Sequence, residues 1–454
     1  MMSFVKNLLV TPLRVILIWL EGLWGIARMI GIGLSALSGE GSLKERLLAK
    51  LTATPTQRIV LSILRAFLPN ISLSRVVVKS YENTGTAAVT RRADVIDVLS
   101  RDADFEVVYG PRMRQLTDGD NFFLGMQPGW DYERDVSDMR LAARRTDVAE
   151  IVLPRAAQLA EQLVAESNGR LDLPSGLTLQ VPWDMTAGYF GTGGPSAEAM
   201  QGWTTTLFWY LFGDLGADPE LGAKAMADAA SLRGYLDETI AARKASPTAA
   251  DDVLNRCLAL QSSGTPGMSD LGIRNNLLGL LIGAIPTISK ASCLALDELL
   301  RRPEALAGAQ QAARAGDDAL MAQHIWEALR FNPHNPVIYR RATRDTVVAR
   351  STLRAMTVKK GQMVFAANFS AMFDRLDIPE PNAFRTDRPW ETYIHWGYGM
   401  HTCFGAVINR SVIPAVLKPL LRQQNLRRAD GKAGEVDSGG TPFPQHFNVV
   451  FDPA

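Results

Sequence analysis

Cysteine is scarce: Cys257, Cys293 and Cys403 are the only three in 454 residues. An odd, sparse set excludes a disulfide framework and points to a reducing compartment. An excess of either charge is also missing. The 48 Lys and Arg against 47 Asp and Glu leave a net +1, which excludes a basic nucleic-acid surface. There is no internal repeat and no low-complexity tract. Hydrophobic residues make up 47% and charged residues 21%, which excludes wholesale disorder and supplies a sizeable core. Length alone allows about three domains or one large helical one.

An unbroken membrane-spanning run is absent too. The most apolar segment, Phe4 to Leu37, is interrupted by Lys6, Arg14, Glu21 and Arg28. At about 100° per residue these four charges fall within an arc of roughly 80°. A narrow polar stripe on a broad apolar face suits a membrane interface or a greasy groove better than a bilayer crossing. Pro12 kinks or starts that helix, and Gly39–Gly41 reads as a hinge after it. The expected organisation is an amphipathic segment over 1–42, a membrane-surface anchor, followed by one large domain over 43–454. The expected location is cytoplasmic, peripheral on the membrane.

Apolar spacing of three and four predicts helices at Val148–Ser167, Ala223–Ala245, Leu271–Arg301 and Asp318–Arg330. Short β-like runs lie at Arg75–Lys79, Ala87–Thr90, Thr346–Ala349 and Met363–Ala366. A last helix follows Cys403. It contains Pro414 and Pro419, for which the sequence offers no functional reason. The fold class is mainly α with small β-sheets. A long irregular stretch precedes Cys403, and such stretches in compact domains are usually functional.

That stretch ends in Trp396-Gly-Tyr-Gly-Met-His401-Thr-Cys403-Phe404-Gly405. Gly397 and Gly399 allow tight turns, and Gly405 lets the backbone approach something flat. The chain beyond is helical in pattern, so the sulfur stands at a helix N-terminus, where N–H groups favour a thiolate. One thiolate in a glycine-rich loop suits an axial ligand to heme iron. A zinc site is excluded because no second ligand pair completes the set. Cys257 and Cys293 sit in helical apolar patterns and read as core.

The Trp396–Gly405 loop resembles the heme-binding loop of the cytochrome P-450 superfamily. Glu327-Ala-Leu-Arg330 is similar to that family's Glu-x-x-Arg, and Phe384-Arg-Thr-Asp-Arg388-Pro389 to its meander. Phe369–Asp374 and Thr90–Leu99 resemble further family segments. The likeness runs in correct order from Ile71 to Phe451. It implies the family fold and heme b with Cys403 as the axial ligand. It implies a buried triad of Glu327, Arg330 and Arg388. Trp396, Gly397, Phe404 and Gly405 are the loop residues it places against the cofactor. For the propionates it nominates Trp130 and Arg134, Arg340 and His401, with Arg341 competing for the place of Arg340.

One departure stands out. Family monooxygenases carry an acid–alcohol pair in their central helix, which delivers protons to bound oxygen. Here the matching stretch is Gly283-Ala284-Ile-Pro286-Thr287-Ile-Ser-Lys290, with no Asp or Glu from Leu271 to Leu296. Ala284, Pro286 and Thr287 are therefore the candidate catalytic positions. Either Pro286 or Ile285 occupies the acid slot, depending on register. Water, Thr287 and Ser289 replace the acid in an O2-dependent monooxygenase, or no relay is needed because the substrate brings its own O–O bond. Lys290, one turn on, either holds a carboxylate or faces outward.

Two readings follow from the resemblance. The first is a monooxygenase acting on a lipophilic substrate with O2 and electrons from ferredoxin and reductase, since no flavin or iron–sulfur motif is visible. The second is a lipid-hydroperoxide isomerase, dehydratase or peroxygenase that needs no reductase. A non-catalytic heme sensor or carrier is the alternative of a different class. The aromatic run Gly202–Gly213 falls where the family has its lid, so Phe208, with Val337 and Ile338, is expected to line the pocket. No nucleic-acid partner is expected.

Overall fold

The computed structural model describes residues 2–38, 42–120 and 122–452. The hinge expected at 39–41 lies outside them. The helices that matter here are α1 (Met2–Ser35), α2 (Thr54–Phe67), α3 (Trp130–Ala142), α4 (Leu153–Glu166), α5 (Ala197–Phe208), α6 (Pro219–Ala245), α7 (Asp270–Leu300), α8 (Asp318–Phe331) and α9 (Ala406–Leu421). The strands are β1 (Asn70–Leu73), β2 (Thr86–Val89), β3 (Phe105–Glu106), β4 (Arg170–Asp172), β5 (Ile338–Ala342), β6 (Thr346–Val348), β7 (Met356–Val358), β8 (Met363–Ala366), β9 (Gln424–Arg428) and β10 (Asn448–Asp452).

The chain forms two compact units. The first holds Met1–Val78, Glu82–Glu106 and Arg330–Met400. Its main sheet has the order β1-β2-β8-β5-β3, with β2 and β8 parallel and the other pairs antiparallel. One face covers a core that includes Val89, Leu99, Phe105, Val364, Phe369 and Phe373. The strand expected at Arg75–Lys79 is extended loop instead. Register explains it: β1 pairs from Asn70↔Val89 to Leu73↔Thr86, so β2 has no residue left opposite 75–79. The other three β-like runs are strands.

In the same unit α1 lies along α2. Gly22 and Gly25 permit this closeness, since a Cβ at Gly22 would stand 2.4 Å from Ala66 Cβ. Two charges of the α1 stripe, Arg14 and Glu21, turn toward the protein. Arg14 donates to the Leu376 carbonyl at 2.7 Å. Glu21 accepts from Arg375 Nε at 3.0 Å and from Asn382 Nδ2 at 2.9 Å. Arg28 stays exposed, and α1 continues through Pro12.

The second unit holds Lys79–Tyr81, Val107–Leu329 and His401–Ala454. Its centre is α7, packed by α5, α6 and α9. Ser269 caps α7 by accepting from the Gly272 N–H at 3.1 Å. Helix α6 starts four residues earlier than the apolar pattern predicts, because Asp218 caps it and Pro219 suits its first turn. The helix expected from Val148 opens as a π-helical turn over Val148–Val152; Pro154 lacks the N–H that an α-helical turn would use there. Strands β4, β10 and β9 form a small antiparallel sheet. Helix α9 runs unbroken through Pro414 and Pro419.

Candidate functional site

Cys403 stands three residues before α9, whose N-cap is Gly405. Its sulfur is held by two backbone donors, the N–H groups of Gly405 and Ala406. A Cβ at Gly405 would reach only ordinary contact with Sγ, at 3.8 Å. Burial pushes the thiol up; the Gly405 N–H, Arg140 and the Ala406 N–H oppose it without winning. Phe404, buried, carries the Arg140 guanidinium 3.7 Å from its ring centre and packs on Phe123 at 5.2 Å. Cys257 and Cys293 are fully buried, and burial pushes both thiols up to about 12. A thiol so raised is no nucleophile at neutral pH.

His401 meets Tyr132, their rings edge to face at 5.1 Å. Tyr132 lies on the buried face of α3 with Met139 and Ala142. Trp130 is 74% exposed. Arg134 is bound by Asp135 at 2.7 Å and Asp131 at 3.0 Å. The structure thus brings Tyr132 and Arg140 to the Cys403 loop, and places Trp130 at the surface. The sequence signal for Tyr132 and Arg140 was faint; the Trp-x-x-x-Arg spacing drew attention to the other face.

Helix α7 shows one open stripe. Between Asn275 and Leu299 every residue is buried except Gly283, Ala284, Thr287, Lys290 and Leu294. That spacing is one helical face. At Gly283 an added Cβ would meet nothing within 4 Å. The Thr287 hydroxyl donates back to the Gly283 carbonyl. Ile285 and Pro286 are buried. Ser289 also faces away: it shares a 2.8 Å hydrogen bond with Thr178. Phe208 stands at the end of α5, with Phe212 in the π-helical turn that follows.

In the first unit, strand alternation separates the two competing arginines. Arg341 is bound by Glu106 at 2.7 Å. Arg340 is buried, and its Nη1 donates to the Tyr339 carbonyl at 2.9 Å. Val337 and Ile338 are half-buried beside it. Arg330 is fully buried and donates to the carbonyls of Met372, Pro381 and Ala383. Arg388 donates to those of Pro379, Glu380 and Ala383. Both arginines therefore pin the meander backbone through the shared Ala383 carbonyl. Glu327, one turn before Arg330 on α8, is fully buried too. Trp396 stacks on Trp390 at 5.4 Å. Gly397 and Gly399 both adopt positive φ, +81° and +75°. A Cβ at Gly399 would lie 2.5 Å from the Leu99 carbonyl oxygen, so the loop demands glycine there.

A family model described as Cytochrome P-450 matches residues 198–433. Psi-producing oxygenase A of Emericella nidulans is 29% identical over 151 residues, 30% of this chain and 14% of that protein. The bifunctional dioxygenase–epoxy alcohol synthase of Pyricularia oryzae is 31% identical over 166 residues, 33% of this chain and 14% of that protein. The match thus spans about one seventh of these fungal relatives. Pulcherriminic acid synthase of Bacillus subtilis is 25% identical over 321 residues, 68% of this chain and 76% of that protein. Among solved structures, P450BioI in complex with hexadec-9Z-enoic acid ligated acyl carrier protein gives a TM-score of 0.74 at 18% identity. That superposition covers 88% of this chain and 99% of the other.

Proposed function

This chain belongs to the cytochrome P-450 family, whose cofactor is heme b with an axial cysteine thiolate, and from that premise we propose that it rearranges a lipid hydroperoxide without a redox partner. One observation carries the reading. Helix α7 carries Pro286 beside Thr287, with no carboxylate between Leu271 and Leu296; with Thr287 taken as the alcohol, Pro286 falls in the position of the acid. O2 activation needs protons delivered to the distal oxygen; a hydroperoxide arrives with its O–O bond already made. The fungal relatives support the same reading, since one of them is named an epoxy alcohol synthase.

The residues fit the cofactor. Cys403, held by two backbone N–H groups and backed by Phe404, is the ligand. His401 and Tyr132 offer polar atoms on one side of that loop; Arg340, buried in the first unit, is by itself a cation of the chemistry a propionate needs. Trp130 and Arg134 are weaker candidates, because Arg134 is already neutralised by two aspartates. When bound, the heme supplies the cleavage of the O–O bond. The overall change balances without electrons: one peroxide oxygen closes an epoxide on a neighbouring double bond, and the other returns to carbon as a hydroxyl. The chain's own part is to hold the lipid along the open stripe of α7, with Phe208 at the lid. Thr287, its hydroxyl satisfied by the Gly283 carbonyl, presents a methyl rather than a free proton donor.

In this proposal the N-terminal segment, 1–42, lies on a membrane and delivers lipophilic substrate from it. Its outward face supports this: Trp19, Leu20, Leu23, Trp24, Ile30 and Leu34 are all exposed.

The deciding experiment is anaerobic. Heme-loaded protein is mixed with a linoleic acid hydroperoxide and no reductant, and products are weighed by mass spectrometry. Rapid formation of an isomer of unchanged mass is expected. Heme bleaching without a defined product would overturn the proposal. Oxidation that appears only with O2, ferredoxin and reductase would restore the monooxygenase reading.

A further inference from the structure

Lys290 occupies the same open stripe as Gly283, Ala284 and Thr287. Its ammonium lies 5.4 Å from the centre of the Phe443 ring. Phe443 meets Phe208 edge-on at 5.5 Å, Phe208 packs on Phe212 at 4.6 Å, and Phe212 on Tyr109 at 4.7 Å. The cation therefore stands at one end of a continuous wall of rings. All of these residues belong to the second unit. No Asp or Glu among the described residues forms an ion pair with Lys290.

A cation in such a place is costly. Its surroundings hold no counter-ion, and burial alone pulls its ammonium down to about 8. One aromatic face offsets only part of that cost. The side chain is half-buried. What the site lacks is an anion, and what continues from it is an apolar wall.

We infer that Lys290 binds the carboxylate of a long-chain aliphatic acid, whose tail runs along Phe443, Phe208 and Phe212. The inference deepens the proposed function by naming the head group of its lipid, and it rests on that reading for the use of the pocket. It also sets the direction of the chain: the head is fixed one turn beyond Thr287, so the tail and not the head passes the lid rings. A carboxylate would form a charge-assisted hydrogen bond with the ammonium in a poorly solvated place, where such bonds are strong.

The test measures binding and needs no turnover. Heme-loaded protein is titrated calorimetrically with sodium myristate and with methyl myristate under one detergent condition. The acid should bind at least tenfold tighter than the ester. Lys290→Met should lose that preference by weakening the acid alone, and Lys290→Arg should keep it. Equal binding of acid and ester by the unaltered protein would overturn the inference, whatever the variants do. So would a full preference retained by Lys290→Met. A preference for the acid alongside failure of the anaerobic hydroperoxide assay would leave the anchor standing and sink only the reaction.

Discussion

At Cys403 two effects oppose each other. Burial raises the thiol, while two backbone N–H groups and the Arg140 guanidinium favour the thiolate. Burial wins in the bare protein, so a positive iron centre in front of the sulfur is what completes the thiolate's environment. Cys403→Ala should therefore abolish the thiolate-type band of the reduced carbon monoxide complex; an unchanged band would remove Cys403 from the ligand role. The loop itself was legible residue by residue, because glycines at positive φ and a cysteine before a helix leave a local signature. Tyr132 was not. Its contact with His401 joins positions 269 apart in sequence, and nothing in its own neighbourhood announces that partner. Arg140 is the same case: it sits over Phe404 through folding alone.

Helix α7 shows how an element carries chemistry by its faces. Its apolar sequence has no period that separates a core side from a pocket side, since both are apolar. Packing by α5, α6 and α9 buries three sides and leaves the stripe from Gly283 to Leu294 open. Thr287 lies on the open stripe and Pro286 is buried. Pro286 withholds one N–H, so the Ile282 carbonyl loses its helical partner. Pro286→Ala restores that bond and should stabilise the protein by about 1–2 kcal/mol, less than the full cost of an interior proline because the chain also gains unfolded freedom. A thermal melt of the heme-loaded protein checks the sign. Hydroperoxide conversion should persist in this variant, since no acid has been introduced; a tenfold loss with heme intact would show that the freed carbonyl takes part.

At the scale of the whole molecule, α1 poses the largest energetic question. Two of its charges are spent inward: Glu21 on Arg375 and Asn382, Arg14 on a carbonyl. Its broad apolar face, with Trp19 at 55% and Trp24 at 68% exposure, points away from the body. Patches of this size are seldom left in water. Tryptophans in such a face suit the level of lipid head groups. The protein should therefore float with phosphatidylcholine–phosphatidylglycerol vesicles, and the double change Trp19→Glu and Trp24→Glu should reduce the bound fraction at least tenfold. Failure of the unaltered protein to float would assign the face to another protein surface.

Sequence alone determined the class of the protein. The cysteine loop, the Glu-x-x-Arg helix, the missing acid and the stripe of charges on α1 are all local patterns, set by spacing within one or two turns or one loop. Three of its four β-like runs became strands, and its long helices came within a few residues of their bounds. What only tertiary structure decided is which way each element faces. Arg14 and Glu21 of α1 turned to the protein, Arg134 turned to aspartates, Lys290 turned toward a wall of rings, and Arg340 rather than Arg341 was buried. Orientation depends on contacts between residues far apart in the chain, and a single sequence carries the patterns of its elements but not the partners that choose among their faces.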